Sequence, residues 1–257
     1  MLTLRQAEMG YSGKPVLSIG ELDIGESRIT ILIGRNGSGK STLLRSVAGI
    51  LPYRGQIRVT QGENEASVSS LSHRERARLI GLLPQSQPAP DMDVMTLVMH
   101  GRYSRISWPG RPGKKDMEAV NAAVDLCGIR DLKDRSLPRL SGGERQLCYL
   151  AMVIAQDPRI FLLDEPMSAM DIAHQTRIMK VLSSLRKKGK TVVMTSHDLP
   201  QSFTLADRIV LLGNGRVIGE GTPGELVKKP ELVRETMGAS LAEAEGEDLL
   251  YPYVLTV

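Results

Sequence analysis

The sequence predicts an α/β fold in which a mainly parallel sheet is flanked by helices. Short apolar or β-branched runs, such as those at 29–33 and 191–195, have the composition of strands buried in a parallel sheet. Helical patterns alternate with these runs along the chain, and that alternation is typical of α/β proteins. A glycine-rich turn joins one such strand to the helix that follows it, which is the third sign of this fold class.

The first third of the chain begins with strands. The runs at 2–4, 16–24 and 29–33 are apolar or β-branched and are each ended by turn-forming residues, so we expect a strand at each. A helical pattern follows over 41–48. It ends at Gly49 with a proline just beyond, which is the usual composition of a helix C-terminus.

The middle of the chain is mainly helical. Ser72 and Glu75 have the spacing of a capping box, which predicts the start of a helix. Prolines interrupt regular structure after this helix, and the stretch 86–154 predicts a separate helical insert. The clearest helix of the insert covers 116–127 and is closed by Gly128.

The last third returns to alternating strands and helices. A strand-like run at 160–163 precedes a helical pattern over 172–188. The dipeptide Asn214-Gly215 between two apolar runs predicts a two-residue β-hairpin. The segment 239–248 contains four acidic residues and no basic one, so we expect a solvated helix or tail there.

The composition excludes several classes of protein. The 257 residues include 33 Lys+Arg and 29 Asp+Glu, and the net charge of +4 is too mild to indicate nucleic-acid binding. No stretch reaches the roughly 18 to 20 consecutive apolar residues of a membrane-spanning helix, and Arg5 and Glu8 stand where a signal peptide would be apolar. We therefore expect a cytosolic protein. Cys127 and Cys148 lack metal-ligand spacing, so we expect both to be packed thiols.

The glycine-rich turn matches a phosphate-binding loop. Residues 34–41 read Gly-Arg-Asn-Gly-Ser-Gly-Lys-Ser and fit the pattern G-x-x-x-x-G-K-[ST] between a strand and a helix. Glycines let backbone N–H groups converge on phosphate oxygens, and the helix dipole adds positive charge. We expect Lys40 to contact the β and γ phosphates and the Ser41 hydroxyl to ligate Mg²⁺. The residues expected to bind the nucleotide here are Gly34, Asn36, Gly37, Ser38, Gly39, Lys40, Ser41 and Thr42.

Two carboxylates, Asp164 and Glu165, follow the apolar run at 160–163. Adjacent residues on a strand point in opposite directions, so the two are expected to have different roles. One would hold Mg²⁺ through water, and the other would contact the attacking water as its base or positioner. Two acids at the solvated end of a strand are the structural alternative, which the accompanying phosphate loop disfavours.

A third motif lies at 140–144 and reads Leu-Ser-Gly-Gly-Glu. Ser141 and Glu144 have capping-box spacing, but capping alone does not require both Gly142 and Gly143. These glycines expose N–H groups at a helix N-terminus and so predict a second anion site. Since one nucleotide already has its cradle in the phosphate loop, the second site is expected to act on a nucleotide held by another copy. The motif therefore predicts a homodimer around ATP.

With these three motifs the chain resembles the nucleotide-binding subunit of an ATP-binding cassette transporter over about residues 2–230. Tyr11 resembles the aromatic residue that stacks on adenine in this family. Gln85, in Leu-Leu-Pro-Gln, matches the glutamine loop that senses Mg²⁺ and the lytic water. His197, in Thr-Ser-His-Asp, matches the switch histidine that contacts the γ-phosphate, and its place after a predicted parallel strand fits a ligand site.

One segment departs from the family pattern. Residues 168–171 read Ser-Ala-Met-Asp where the family usually has Ser-Ala-Leu-Asp, and Met167 replaces a common Thr. Because Leu to Met nearly conserves volume, we expect Asp171 to keep its role across the dimer.

The resemblance implies a P-loop NTPase core, which is a mainly parallel sheet with flanking helices, together with an antiparallel β subdomain and an inserted helical subdomain. The implied boundaries are 1–85 and 155–238 for the ATP-binding core with its β subdomain, 86–154 for the helical insert with the signature motif, and 239–257 for an acidic C-terminal tail.

The resemblance also implies an ATPase that uses ATP and Mg²⁺ and forms a head-to-tail homodimer. Its partners would be two transmembrane permease subunits and, indirectly, a substrate-binding protein, at the cytoplasmic side of the membrane and without nucleic acid. The implied roles are catalysis by Glu165, His197, Gln85 and Lys40; Mg²⁺ binding by Ser41, Gln85 and Asp164; adenine stacking by Tyr11; and completion of the partner's nucleotide site by Ser141, Gly142 and Gly143.

Further segments resemble one subclass of the family. Residues 72–78, 100–103 and 171–175 are similar to those of bacterial and archaeal importer ATPases for iron-siderophores, haem and cobalamin. The alternative is a soluble ATPase of the same class, such as one for iron–sulfur cluster assembly, which fits a single cassette of this length. A P-loop kinase would have no use for the motif at 140–144.

The boundary between core and insert predicts where a permease would dock. Gln85 lies at that boundary, and the proline-broken stretch 88–105 is expected to form a concave surface for a permease helix. Arg102 and Arg105 are expected to be exposed charges that add some electrostatic steering of the permease. The groove itself is expected to contribute more to docking.

Overall fold

The computed structural model describes residues 1–62, 64–106, 110–243 and 253–256. The strands are β1 (Leu2–Tyr11), β2 (Lys14–Ile24), β3 (Ile29–Ile33), β4 (Tyr53–Gln61), β5 (Asn64–Ser67), β6 (Ile80–Leu83), β7 (Ile160–Leu163), β8 (Thr191–Ser196), β9 (Arg208–Gly213), β10 (Arg216–Gly221), β11 (Ser240–Glu243) and β12 (Tyr253–Thr256).

The helices are α1 (Lys40–Val47), α2 (His73–Leu79), α3 (Val94–His100), α4 (Lys114–Cys127), α5 (Gly142–Gln156), α6 (Ile172–Lys187), α7 (Leu199–Leu205), α8 (Pro223–Val227) and α9 (Pro230–Met237). Across the described ranges, no helix combines the length and the apolar character needed to cross a bilayer. Most predicted helices and strands are present with shifts of one or two residues at their ends, but the strand predicted at 2–4 extends to Tyr11.

The main sheet has six strands in the order β10-β9-β3-β8-β7-β6. The pairs β9–β3, β3–β8, β8–β7 and β7–β6 are parallel, and only β10 pairs antiparallel with β9. Every residue of β3, β7 and β8 is buried, which agrees with continuous apolar runs in a sheet covered on both faces. The carboxyl ends of β6, β7, β8 and β3 therefore meet at one edge.

A second sheet, of four antiparallel strands in the order β2-β1-β4-β5, covers one face of the main sheet through α1. Alternate residues such as Leu17 and Ile19 of β2 are buried, as expected for a strand with one face inward. They form one apolar cluster with Leu43 and Leu44 of α1 and Leu32 of β3. The antiparallel sheet thus fixes α1, and with it the turn from β3 into α1.

The opposite face of the main sheet carries α3, α4, α5 and the helices that follow them, whereas Leu79 of α2 packs with the cluster around α1. Ile31 of β3 and Phe161 of β7 belong to one apolar cluster with Leu97 of α3, Val120 of α4 and Leu150 of α5. Within 86–154 the described residues contain α3, α4 and most of α5, and these helices share this continuous core with the sheet. Motion of these helices would therefore be transmitted to the sheet through packed side chains.

The turn predictions at Gly128, Asn214 and Gly215 are confirmed. Gly128 closes α4 in the left-handed conformation. Asn214 and Gly215 have φ values of +49° and +70° and join β9 to β10, as a two-residue hairpin requires.

The expected helix or tail after 238 is wrong for part of that segment. Residues 240–243 form β11, which pairs antiparallel with β12. The rest of the predicted acidic segment, 244–248, lies outside the described residues. An acidic composition describes solvation and does not exclude pairing with a strand that follows later in the chain.

Arg102 and Arg105 are not the exposed steering charges that the sequence analysis expects. Arg102 is 8% exposed and donates hydrogen bonds to Asp116 Oδ1 at 2.9 Å and to the Ala155 carbonyl at 2.7 Å. Arg105 donates to the carbonyls of Gln156 and Asp157. Both arginines thereby satisfy carbonyl groups that the end of α5 leaves without helical partners.

The two cysteines are free and buried, as predicted. Burial raises the pKa of the Cys127 thiol, and it raises the pKa of Cys148 to about 12. Both therefore remain protonated, apolar packing groups at neutral pH.

Candidate active site

The phosphate loop connects the end of β3 to the start of α1. At Gly34, a Cβ atom would lie 2.3 Å from the Leu212 carbonyl oxygen and 2.5 Å from Ser38 Oγ, so only glycine fits. Gly39 has a φ of +100°, which side-chain-bearing residues rarely adopt. The loop consequently holds its backbone close around a space at the α1 N-terminus, where the first N–H groups have no helical acceptor.

Lys40 lies inside this loop. Its side chain is almost fully buried, and Nζ donates to the carbonyls of Gly34 at 2.6 Å and Arg35 at 3.3 Å. Burial lowers the pKa of the Lys40 ammonium, while the charges of Glu165 and Asp164 act in the opposite direction. The loop carbonyls thus hold the Lys40 ammonium inside the loop.

Ser41 and Asp164 meet at the carboxyl edge of the main sheet. Ser41 Oγ donates to Asp164 Oδ1 at 3.0 Å, across 123 residues of chain. The same Asp164 oxygen accepts a 2.8 Å hydrogen bond from Thr195 Oγ1. Asp164 is 3% exposed, so its carboxylate is fixed between two hydroxyl groups.

Glu165 faces a different set of groups. Its Oε2 accepts a 2.9 Å hydrogen bond from Gln85 Nε2 and lies 3.4 Å from His197 Nδ1. The different roles expected for the two acids agree with these contacts, but strand alternation is not the reason. The strand β7 ends at Leu163, and Glu165 turns away from Asp164 because its φ is +48°.

Thr195 is a site residue whose role the sequence analysis missed. Its Oγ1 both donates to Asp164 and accepts a 2.8 Å hydrogen bond from the Glu165 backbone N–H. One fully buried hydroxyl therefore positions both acids. The available signal was a threonine in a predicted buried strand, two residues before His197.

Glutamine side chains support the segment that follows Glu165. Gln146 of α5 donates to the Pro166 carbonyl at 3.2 Å, and Gln175 of α6 donates to the Met167 carbonyl at 3.3 Å. The sequence did not indicate these contacts, because the spacing of the two glutamines does not show that both donate to carbonyls of the segment after Glu165.

The signature turn, residues Ser141, Gly142 and Gly143, forms the start of α5. The capping box is present: Ser141 Oγ accepts from the Glu144 N–H, and Glu144 Oε2 accepts from the Ser141 N–H. Within the described ranges, no hydrogen bond joins this turn to the phosphate loop. Apart from the bonded Ser141 N–H, the turn therefore offers the N–H groups of Gly142 and Gly143 at the N-terminus of a helix of 15 residues, separate from the phosphate loop.

The remaining predicted residues lie at the end of β1, in the phosphate loop and α1, and at the start of α6. Tyr11 ends β1, is 44% exposed, and accepts a 3.5 Å hydrogen bond from Arg45 of α1. Asn36 and Gly37 are exposed at the tip of the loop, while Ser38 and Thr42 are buried. Asp171 caps α6 by accepting a hydrogen bond from the His174 N–H.

Comparisons with known proteins agree with this geometry. The family model described as ABC transporter matches residues 17–168. The ferric enterobactin transport ATP-binding protein of Escherichia coli is 39% identical over 91% of this chain and 85% of its own length. A petrobactin import ATP-binding protein of Bacillus anthracis is 37% identical over 91% of this chain and 85% of its own length.

Among solved structures, a metal-chelate type ABC transporter in an inward-facing conformation matches with a TM-score of 0.83 and 27% identity. The match covers 100% of this chain and 97% of that one. The predicted fold class is confirmed, since the parallel sheet with flanking helices and the additional antiparallel sheet are both present. The chain belongs to the ABC transporter family and is an ATPase of that class.

Proposed function

We propose that this chain hydrolyses ATP to power the import of a metal chelate through a separate membrane permease. The observation that carries the proposal is the convergence of Ser41, Asp164, Glu165 and Gln85 at the carboxyl edge of the sheet, beside the phosphate loop. The transport proteins named above support a chelated metal ion as the class of cargo. They do not favour the soluble alternative in iron–sulfur cluster assembly.

The phosphate loop would hold the nucleotide. Backbone N–H groups of the loop and of the α1 N-terminus would bind the phosphate oxygens, with Lys40 on the β and γ phosphates. Tyr11 is exposed and tethered to Arg45 of α1, which supports adenine stacking beside the loop.

Ser41 and Asp164 fit a magnesium ion. A hydroxyl and a carboxylate 3.0 Å apart provide the oxygen ligands that this hard cation prefers. In the part of the chain that the structure describes, no cluster of three or more His, Cys, Asp or Glu side chains could hold a metal ion. Mg²⁺ commonly uses one or two protein carboxylates and takes further ligands from phosphates and water. When bound, Mg²⁺ neutralises charge on the phosphates.

Glu165 would act as the base. Gln85 and His197 approach the same carboxylate oxygen, Oε2, so Glu165 Oε1 is the oxygen left to accept a proton from the attacking water. Gln85 would orient Glu165 and also approach the metal, and His197, which is 58% exposed, would reach the γ-phosphate.

The signature turn would complete the site of a second copy. Gly142 and Gly143 keep first-turn N–H groups without a helical acceptor, and the Ser141 hydroxyl lies beside them, yet their own chain already has a phosphate cradle in the loop at 34–42. A head-to-tail homodimer would place each signature turn against the partner's γ-phosphate, and ATP would close the dimer by bridging the two surfaces.

The partners would be two permease subunits and, through them, a substrate-binding protein. The chain would bind the cytoplasmic side of the membrane peripherally. Residues 1–85 and 155–238 would form the ATP-binding core, and the helices of 86–154, which join the core at Gln85, would receive the permease.

The test is reconstitution with a candidate permease of the metal-chelate importer type. Proteoliposomes would contain this chain, the permease and the binding protein, and uptake of ferric siderophores, haem and cobalamin would be measured with and without ATP. We expect ATP-dependent uptake of one chelate, and its loss with Lys40→Ala. A complex that hydrolyses ATP but takes up none of these cargoes would contradict the assigned cargo class. Failure to bind any permease would contradict the transport role.

A further inference from the structure

The segment 171–175, Asp-Ile-Ala-His-Gln, contributes a histidine to which the proposed mechanism gives no role. His174 lies in the first turn of α6. Its Nδ1 lies 2.9 and 2.8 Å from Asp171 Oδ1 and Oδ2, and Asp171 also accepts the backbone N–H of His174. The imidazole ring is thus held by the residue that caps the helix.

The ring of His174 packs against the signature turn. A Cβ atom built on Gly143 would lie 3.0 Å from Cδ2, 3.1 Å from Cγ and 3.3 Å from Nε2 of His174. The His174 side chain is 26% exposed, so it is enclosed on most sides. Gly143 has no side chain of its own, and this ring is the group that occupies the space beside its α-carbon.

A second contact joins the same two parts of the chain. Gln146, one turn after Gly143 on α5, donates to the Pro166 carbonyl directly after Glu165. The segment from Glu165 to Asp171 is therefore tied to α5 at both ends, by Gln146 at Pro166 and by the His174 ring at Gly143. The turn that would face the partner's nucleotide is connected in this way to the base of its own site.

We propose that His174 is a positioning residue that, held by Asp171, fixes the main chain of Gly143 relative to Glu165. This inference rests on the proposed function, because Gly143 must act on the nucleotide of a second copy for its position to matter. Backbone N–H groups stabilise developing charge only when they are aimed in advance, and small displacements reduce the rate strongly. His174 would hold the Gly143 main chain in that orientation without contacting the nucleotide.

The first test is the ATPase activity of His174→Ala in the full-length protein. We expect kcat to fall by about tenfold or more, while KM for ATP and binding of a non-hydrolysable ATP analogue stay within about twofold. His174→Gln, which keeps an amide N–H for Asp171, should restore part of kcat. His73→Ala is the matched control, since His73 is exposed on α2 and should leave kcat unchanged.

The second test is a double-mutant cycle with Gly143→Ala. In the wild-type background the added methyl group lies 3.0 Å from the His174 ring, which must give way by a few tenths of an ångström, whereas in the His174→Ala background these ring contacts are gone. We therefore expect the two losses of kcat to be less than additive. Full additivity would overturn the proposed contact, as would wild-type kcat in His174→Ala or an equal loss of kcat and nucleotide affinity.

Gly143→Asp separates this inference from the proposed function. If Gly143→Asp retains hydrolysis, the composite site itself is wrong and the role of His174 is lost with it. If Gly143→Asp abolishes hydrolysis while His174→Ala is fully active, the composite site stands and only the positioning role is overturned.

Discussion

The side-chain amide of Gln85 donates a 2.9 Å hydrogen bond to Glu165 Oε2, although 80 residues separate them in the chain. Gln85 follows β6 and Glu165 follows β7, and these two strands are parallel neighbours. Gln85 also begins the path into the helices of the insert. A rotation of those helices would therefore move a direct partner of the proposed base, which gives a physical route between a permease and hydrolysis.

Glu165→Gln tests the proposed base. The substitution keeps the size of the side chain and a hydrogen-bonding oxygen but removes the proton acceptor, so we expect hydrolysis to fall by roughly 10² or more. Binding of ATP should persist, because Lys40 and the phosphate loop are unchanged. Phosphate release measures the loss of hydrolysis. Formation of an ATP-dependent dimer on gel filtration measures the retained binding of ATP.

Glu118→Gln is the matched control for this variant, because Glu118 is exposed on α4 and far along the chain from both acids. It should hydrolyse ATP at the wild-type rate. Near-normal turnover by Glu165→Gln would remove Glu165 from the role of base.

Thr195→Val tests the hydroxyl that positions both acids. Valine keeps the shape of the side chain but removes a donor to Asp164 and an acceptor for the Glu165 N–H. The Glu165 N–H loses its acceptor and Asp164, among the described residues, keeps only the Ser41 hydroxyl as a donor, so the free energy of unfolding should fall by about 1 to 3 kcal/mol. The substitution should also reduce kcat and raise the Mg²⁺ concentration needed for half-maximal activity. Urea unfolding measures the change in stability, and Mg²⁺ titration of the ATPase measures the other two effects.

The neighbouring strand offers a control for Thr195→Val. Thr30 of β3 is 1% exposed, and among the described residues its Oγ1 has no hydrogen-bond partner. Thr30→Val should therefore leave the free energy of unfolding unchanged or slightly raise it. Equal destabilisation by the two variants would show that the loss at Thr195 reflects the strand and not its hydroxyl.

Local patterns made most of the fold predictable. The capping boxes at Ser72 and Ser141, the left-handed Gly128 and the Asn214-Gly215 hairpin depend on a few adjacent residues, and the structure contains all of them. Strand β11 was not predictable in the same way. Its partner β12 begins ten residues after β11 ends, and no local pattern encodes that pairing.

Candidate site residues could be predicted from the sequence where a motif identifies them. They could not be predicted where only a tertiary contact identifies them. Lys40, Ser41, Asp164 and Glu165 follow from spacing. The role of Thr195 depends on the register of β8 beside β7, in which Leu163 pairs with Met194 and the next residues are therefore neighbours. Sequence position alone gives neither the order of the strands nor their register.

Arg102→Met tests the buried ion pair that replaces the expected exposed charge. Arg102 and Asp116 have side chains that are 10% and 16% exposed, and Arg102 also binds the Ala155 carbonyl at the end of α5. Removing the arginine deprives the Asp116 carboxylate and the Ala155 carbonyl, which are both largely buried, of this hydrogen-bond donor. We expect the free energy of unfolding to fall by roughly 2 to 4 kcal/mol in urea.

Arg130→Met provides the comparison on the same helical region. Arg130 and Asp125 form an ion pair whose side chains are 64% and 48% exposed. Exposed pairs contribute little, so this variant should change the free energy of unfolding by less than about 1 kcal/mol. If the two variants were equally destabilised, burial would not be what distinguishes the pairs.

Hydrogen exchange tests where the permease docks. Gln85 contacts Glu165, and the stretch 88–105 contains α3 with prolines before it, so a permease helix bound there would sense the state of the site. Because Arg102 and Arg105 are engaged by α4 and by the carbonyls ending α5, docking should depend on the shape of this stretch more than on their charge. The assembled transporter should show slower exchange at 82–105 than the isolated chain, and no change at the Asn214-Gly215 hairpin.

Protection of the hairpin with unchanged exchange at 82–105 would overturn this docking surface. Arg111→Ala, at an exposed residue beyond the stretch, should leave the protection at 82–105 intact.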